Sequence, residues 1–346
     1  MSFAIINEST KYTGLGRYAA DVASATNAKL FSLNLDSSVD PSRYSGQVVS
    51  YKSFMKIGNG WYMSHRFPSI FLSSVRKQVG NQITKDTIIH YSSQEVPYLN
   101  LNNRYFFTVH DHFGLDLKFN SNSRLAKLLK INLKYIASGM RIITVSHYVK
   151  SKLQEVGINK RIDVVYPSVS RSFQLIDNRA HLRNILALPE DKRLVLSVSS
   201  QDPRKNLRAV AETMELLGDN YVLVRVGKPV GECYSFGNID DEKLNMIYNA
   251  CDVLLFPSFD EGFGYPLAEA MTVGLPVVAS DIPVFHEIAE NAAILVDPDP
   301  KKLAEGIKDA VDNRDIFQDR GIQIAERYQF NYFKEGINEV YNQITI

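Results

Sequence analysis

Short β-branched or aromatic runs alternate with helix-length amphipathic segments along all 346 residues, and that alternation leaves few folds open. A strand that is apolar throughout needs cover on both faces, and helices inserted between consecutive strands supply it. The pattern therefore predicts parallel sheets built from βα units. In the first half, strands are expected at Phe3–Ile6, Lys29–Leu35, Gln47–Tyr51, Thr87–Tyr91, Tyr105–Val109, Arg141–Val145 and Asp163–Tyr166, with helices starting near Gly16, Arg124 and His147. In the second half, strands fall at Leu194–Ser199, Tyr221–Val226, Glu232–Phe236, Val253–Phe256, Pro276–Ala279 and Ala293–Val296. Helices follow near Arg204, Asp240, Tyr265, Pro283, Lys301 and Asp315.

The length predicts two domains of comparable size, 1–170 and 171–330, with the polar stretch that runs to Arg183 as the linker. A net charge of +1 conceals an asymmetry: residues 1–170 carry 21 Lys and Arg against 10 Asp and Glu, and the remainder carries 18 against 28. Opposite polarity in the two halves predicts different partners for each, and no nucleic acid is expected. Cys233 and Cys251 form no C-x-x-C pattern and read as reduced thiols. Eighteen consecutive apolar residues occur nowhere, and Met1–Ile6 is too short for a signal peptide, so a cytoplasmic protein is expected.

The chemistry concentrates in Pro257-Ser258-Phe259-Asp260-Glu261-Gly262-Phe263-Gly264-Tyr265-Pro266-Leu267-Ala268-Glu269-Ala270-Met271. The segment reads as a buried strand, a glycine turn and a helix. Backbone N–H groups of such a turn, backed by a helix N-terminus, make a place for a phosphate. Glu261 stands at the tip of the turn, and Glu269 lies just over one helical turn in. Two carboxylates beside a phosphate cradle suit a ligand that carries both phosphate and vicinal hydroxyls, such as a nucleotide sugar.

This run closely resembles the E-x7-E motif of the group 1 retaining glycosyltransferases (family 4), which have two Rossmann-like domains facing across a cleft, the GT-B architecture. The resemblance implies an α/β fold of that kind, with a C-terminal helix, residues 331–346, crossing back to the first domain. It also implies roles. Glu261 would contact the donor hexose and Glu269 the ribose, while Gly262, Phe263 and Gly264 would meet the diphosphate. Lys205, in Asp202-Pro203-Arg204-Lys205, resembles the donor-phosphate lysine. Relatives often carry an Arg where this chain has Ser200, and Arg204 is expected to supply that second charge. Gly14 and Gly16, in Thr13-Gly14-Leu15-Gly16, resemble the loop that passes the donor phosphate, and His110 resembles a His beside the donor sugar. Ile239, in Phe236-Gly237-Asn238-Ile239-Asp240, resembles the loop near the nucleobase, with Asp240 as a helix N-cap. Only Gly227–Gly231 separate two expected strands there, too few for an ordinary crossover, which predicts a trimmed base pocket.

Ser280, Asp281 and Glu287 are expected around that site rather than in it. Asp297-Pro298-Asp299 reads as a turn, and no cluster has metal-ligand spacing, so neither metal nor cofactor is expected. The function that follows from the resemblance is metal-independent, retaining transfer of a hexose from GDP-mannose or a UDP-hexose to a glycan or lipid-linked acceptor. Three alternatives compete with it. Gly14-x-Gly16-x-x-Ala19 matches a dinucleotide fingerprint by letters, with Asp36 further on, as in an NAD-dependent oxidoreductase. Asn7–Thr13 separate its first glycine from the strand, however, and it leaves Glu261, Glu269 and Lys205 without a task. A sugar-nucleotide epimerase of the same fold and a silent carbohydrate-binding relative would keep those residues. On the acceptor side, Arg124, Lys127, Lys130 and Lys134 recur at helical spacing, and Tyr51–Gly80 mixes aromatic and basic residues. Such a surface suits peripheral contact with an anionic membrane, and an ordinary solvated face explains it equally simply.

Overall fold

The computed structural model describes residues 2–7, 13–32, 48–50, 73, 76–96, 98–112, 132–237 and 239–345. The expected helix near Arg124, the positions Arg124, Lys127 and Lys130, Asp36 and most of Tyr51–Gly80 lie outside that set. Two compact units form, Met1–Ser168 with Asn331–Ile346, and Val169–Phe330.

The first unit holds a seven-stranded parallel sheet in the order β3-β2-β1-β4-β5-β6-β7. Its strands are β1 Phe3–Asn7, β2 Lys29–Ser32, β3 Val48–Ser50, β4 Ile88–Tyr91, β5 Tyr105–Val109, β6 Ile142–Thr144 and β7 Ile162–Val164. All four residues of β4 are buried, as are Phe106–Val109 of β5, as central strands of a parallel sheet require. Helix α1 (Gly14–Thr26) opens with Thr13 as N-cap, its hydroxyl accepting from the Gly16 amide at 3.1 Å. Helix α2 (His147–Glu155) is capped in the same way by Ser146.

The second unit holds a six-stranded parallel sheet, β10-β9-β8-β11-β12-β13. The strands are β8 Arg193–Val198, β9 Tyr221–Val226, β10 Tyr234–Phe236, β11 Val253–Phe256, β12 Val277–Ser280 and β13 Ile294–Val296. Both units are thus α/β with parallel, Rossmann-like sheets. The second core gathers Val195, Val210, Leu223, Val253, Leu255, Val278, Leu303 and Ile307, each no more than 2% exposed.

One departure from the sequence reading has a plain cause. The stretch to Arg183 is not a linker: helix α3 (Arg179–Ile185) forms there within the second unit. Its arginines are polar because they serve a buried acid, Arg183 Nη2 donating to Asp252 Oδ2 at 2.7 Å and Arg179 Nη1 to Oδ1 at 2.9 Å. As the short Gly227–Gly231 connection implies, β10 pairs parallel to β9 with no helix between them. Tyr234 sits opposite Val224, so the chain need retreat only about 7 Å along the sheet and step about 4.8 Å sideways. Gly227 and Gly231, at φ 130° and 60°, turn the link within that space.

The last helix, α4 (Phe330–Thr345), returns to the first unit from Asn331 onward. Phe333, Ile337, Val340, Tyr341 and Ile344 are buried at helical spacing, on the face turned to that unit. The Tyr341 ring lies tilted 4.2 Å from that of Phe3 and edge-on 5.6 Å from that of Phe106, and the Phe333 ring lies 5.5 Å from that of Tyr18. A buried polar chain runs beneath them. The Tyr341 hydroxyl meets His90 Nδ1 at 2.8 Å, His90 Nε2 meets the Thr108 hydroxyl at 2.7 Å, and that hydroxyl meets Tyr18 at 2.9 Å.

Candidate functional site

In the second sheet, β8 and β11 are neighbours, while β9 lies beyond one and β12 beyond the other. Connections leaving the two central strands therefore diverge, and the crevice at their carboxyl ends is where open α/β sheets hold ligands. The segment after β8 (199–206) and the segment after β11 (257–264) border that crevice. A backbone bond ties them, the Phe259 amide donating to the Arg204 carbonyl at 2.8 Å.

Lys205 ends a short 3-10 turn, Pro203–Lys205, and its Nζ donates to Glu261 Oε1 at 2.5 Å. The same oxygen accepts from the Ser258 hydroxyl at 2.7 Å. Both side chains are largely shielded, 17% and 10% exposed, so the charges are screened less than at a surface. The ammonium also lies 5.7 Å from the centre of the Phe256 ring. Sequence spacing did not bring these two residues together; strand order does.

Glu269 lies in the helix Tyr265–Thr272 and is 1% exposed, which excludes a solvated glutamate. Tyr248, on the preceding helix Asp241–Ala250, donates its hydroxyl to Glu269 Oε2 at 2.8 Å. Tyr248 was missed, because a buried Tyr at helical spacing carries no signal beyond that of a core residue. The turn between the glutamates explains its second glycine. Gly264 has φ 96°, and a Cβ there would stand 2.8 Å from the Phe285 ring. No side chain caps the helix that begins at Tyr265, and Pro266 fills an early position where an amide is not required.

The second positive charge expected from Arg204 arrives already neutralised. Its Nε and Nη2 donate to the two oxygens of Asp202 at 3.1 and 2.8 Å, and Asp202 also caps the turn through the Arg204 amide. Although burial opposes it, these bonds hold the Asp202 carboxyl below its usual range. Ile239 follows β10, and Asp240 caps the next helix through the Lys243 amide at 2.8 Å. The turn around Asp297 is a helix start, with Asp299 accepting from Lys301 and Lys302. Asp281 pairs with His286 on an exposed rim, at 2.5 Å. Among the described residues no group of three His, Cys, Asp or Glu could hold a metal ion.

The remaining expected residues belong to the first unit. Gly14 and Gly16 lie in the first turn of α1 rather than in a loop. His110 follows β5 and is buried, its Nε2–H donating to the Ser92 carbonyl at 2.8 Å. That bond fixes the tautomer and leaves Nδ1 as the acceptor. Burial lowers its pKa to about 4, so the ring is neutral at pH 7. The Gln94 side chain accepts from the His110 amide at 2.8 Å, and Asn132 in turn donates to the Gln94 carbonyl at 2.9 Å. Lys134 is exposed on helical residues 132–138; the other members of the proposed basic face are outside the described set. No helix among the described residues is long and apolar enough to cross a membrane.

Residues 178–327, the span that holds Lys205, Glu261 and Glu269, match the model of the family described as glycosyl transferases group 1. The O-antigen chain mannosyltransferase RfbU of Salmonella typhimurium is 27% identical over 228 residues, 61% of this chain and 61% of that protein. The aligned part thus spans about three-fifths of the curated relative. Sucrose-phosphate synthase from Thermosynechococcus elongatus superposes with a TM-score of 0.80 at 18% identity, over 100% of this chain and 99% of that one. HepE of Anabaena, solved with UDP and glucose, gives 0.78 at 15% identity over 99% of each chain. At such identity these two likenesses speak to the fold alone, two Rossmann-like units each built on a parallel sheet.

Proposed function

We propose that this chain, a group 1 glycosyl transferase over residues 178–327, moves a hexose from a nucleoside-diphosphate sugar to a glycan or lipid-linked acceptor, with retention and without a metal. One observation carries the reading: a shielded Lys205–Glu261 pair and a buried Glu269 stand around the crevice of the matched unit. GDP-mannose is the first candidate donor and a UDP-hexose the second. The resemblance to an O-antigen chain mannosyltransferase supports mannose and a glycan acceptor, and the structural likeness solved with UDP and glucose keeps UDP donors in second place.

Cleavage of the donor bond builds positive charge on the sugar ring and negative charge on the departing diphosphate. Lys205 and the N–H groups of the glycine turn stabilise the leaving group in place, as fixed dipoles and charges do. Glu261, already oriented by Lys205 and Ser258, receives the hexose hydroxyls, and Glu269 receives the ribose. With the diphosphate charge met in this way, Mg²⁺ has no required post. Same-face attack, with a donor phosphate oxygen taking the acceptor proton, gives retention. Roles for Gly14, Gly16, Ile239 and His110 rest on the resemblance alone.

Incubation with labelled GDP-mannose and UDP-glucose tests the reading, with and without a lipid-linked acceptor and with excess EDTA. Acceptor-dependent transfer that persists in EDTA is the expected result. Activity abolished by chelation and restored by Mn²⁺ overturns metal independence. Rearranged sugar nucleotide without any acceptor identifies an epimerase instead.

A further inference from the structure

Five charged side chains on the 199–206 and 257–264 segments sum to a net charge of −1: Lys205 pairs with Glu261, Arg204 with Asp202, and Asp260 adds a further carboxylate. Ser200 is uncharged. Lys205 and the glycine-turn amides therefore act on a diphosphate against a compensated background, and a further cation without a counter-ion adds to their pull.

Arg225 lies directly beneath. It occupies β9, beside β8, and its side chain is fully buried. Nη1 donates to the carbonyls of Ser197 and Val226 at 2.9 and 3.0 Å, and Nη2 donates to the carbonyl and hydroxyl of Ser199 at 2.5 and 3.0 Å. Among the described residues no carboxylate is its partner, and Nε has no hydrogen-bond partner. Burial opposes its charge, yet an Arg stays protonated at pH 7. A buried guanidinium without a counter-ion is costly to keep, and it is unscreened toward the turn it supports. Its bonds also hold two carbonyl oxygens, at Ser197 and Ser199, that would otherwise direct negative dipole ends toward the strand's carboxyl end. The fit leaves no slack: a Cβ on Gly227 would stand 2.4 Å from the Ser199 carbonyl and 3.1 Å from Nη2.

We propose that Arg225 is the cationic floor of the phosphate turn, a positioning residue that shapes residues 197–199 and attracts the donor diphosphate without touching it. The proposal rests on the nucleotide-sugar reading above.

The test uses the full chain and whichever of UDP, GDP and ADP binds it best, alongside the parent uncharged nucleoside. Arg225→Gln keeps donors for the carbonyls and removes the charge. It should weaken the diphosphate about tenfold or more while leaving the nucleoside within about twofold. Arg225→Lys keeps the charge and should retain most of the preference for diphosphate over nucleoside. Equal loss of both ligands in Arg225→Gln, or no loss, overturns the proposal. So does a folded Arg225→Lys that loses the preference, which decides the matter if Arg225→Gln does not fold. If the wild-type chain binds none of the three diphosphates, the nucleotide-sugar reading itself has failed.

Discussion

Glu269 makes the most economical argument at the scale of single residues. A carboxylate 1% exposed on a helix is costly unless something needs it, and Tyr248 already donates to it. Glu269→Gln should therefore weaken nucleoside-diphosphate binding by about 1.5–3 kcal/mol, the worth of a charged acceptor. Tyr248→Phe should act in the same direction by about 1 kcal/mol. Titration calorimetry of the variants checks both, and unchanged affinity in Glu269→Gln removes the ribose role. Glu261→Gln should lower turnover more than it lowers nucleoside-diphosphate affinity, because the sugar, not the nucleotide, is what Glu261 is proposed to hold; equal losses in kcat and affinity contradict this. Gly264→Ala belongs to stability. With φ 96° and the Phe285 ring 2.8 Å from the added carbon, it should cost about 1–3 kcal/mol, read as a lower thermal midpoint. The residue types of the site were legible because glycines and carboxylates at fixed spacing have few other uses. Their partners were not. Asp202 sits two positions from Arg204, yet only the folded turn makes the pair bidentate, and Tyr248 is separated from Glu269 by an entire strand and loop.

Among elements, the strands were the most readable feature, since parallel strands buried on both faces appear as uninterrupted apolar runs. Tyr105–Val109, Tyr221–Val226 and Val253–Phe256 fall where the runs predict. The stretch after Ser168 misled because arginines that serve a buried acid look like solvated ones: α3 is polar in composition, and Arg183 is nonetheless buried against Asp252. The short link between β9 and β10 and the strand after it were both legible, β10 falling within the expected Glu232–Phe236; only its register against β9 depends on pairing that no local pattern carries. The C-terminal helix α4 gives the prediction at this scale. Tyr341→Phe deletes the hydroxyl that meets His90 Nδ1 and leaves a buried ring nitrogen without that partner. The expected cost is about 1–3 kcal/mol, measured by denaturant unfolding. Full stability in Tyr341→Phe would mean that packing alone holds the helix.

For the whole molecule, pH acts chiefly through two buried imidazoles. Burial lowers His90 to about 3 and His110 to about 4, from an ordinary value of 6.5. Between those values and 6.5 the unfolded chain binds protons that the folded chain refuses, so stability rises with pH across that window. The thermal midpoint should be level above about pH 7 and should fall as pH drops from 6.5 toward 4, with His90 neutral in the native state throughout and His110 neutral until the pH nears 4. A midpoint that stays level down to pH 4.5 contradicts the assignment. The basic balance of the first 170 residues against the acidic remainder is a property of the entire chain, and it is the reason to expect peripheral contact with an anionic membrane. Liposome sedimentation checks it: binding should rise with anionic lipid and fade with salt.

The most direct measurement is a thermal-shift panel of UDP, GDP, ADP, their sugars and NAD(H), on the wild-type chain and on Glu269→Gln. A nucleoside diphosphate at a hundred times its dissociation constant should stabilise the wild-type protein by about 2.7 kcal/mol. The same concentration should stabilise Glu269→Gln clearly less, since the buried carboxylate is the proposed ribose contact. Stabilisation by NAD(H) alone, or an equal shift in both proteins, would contradict the assignment of this crevice to a nucleotide sugar.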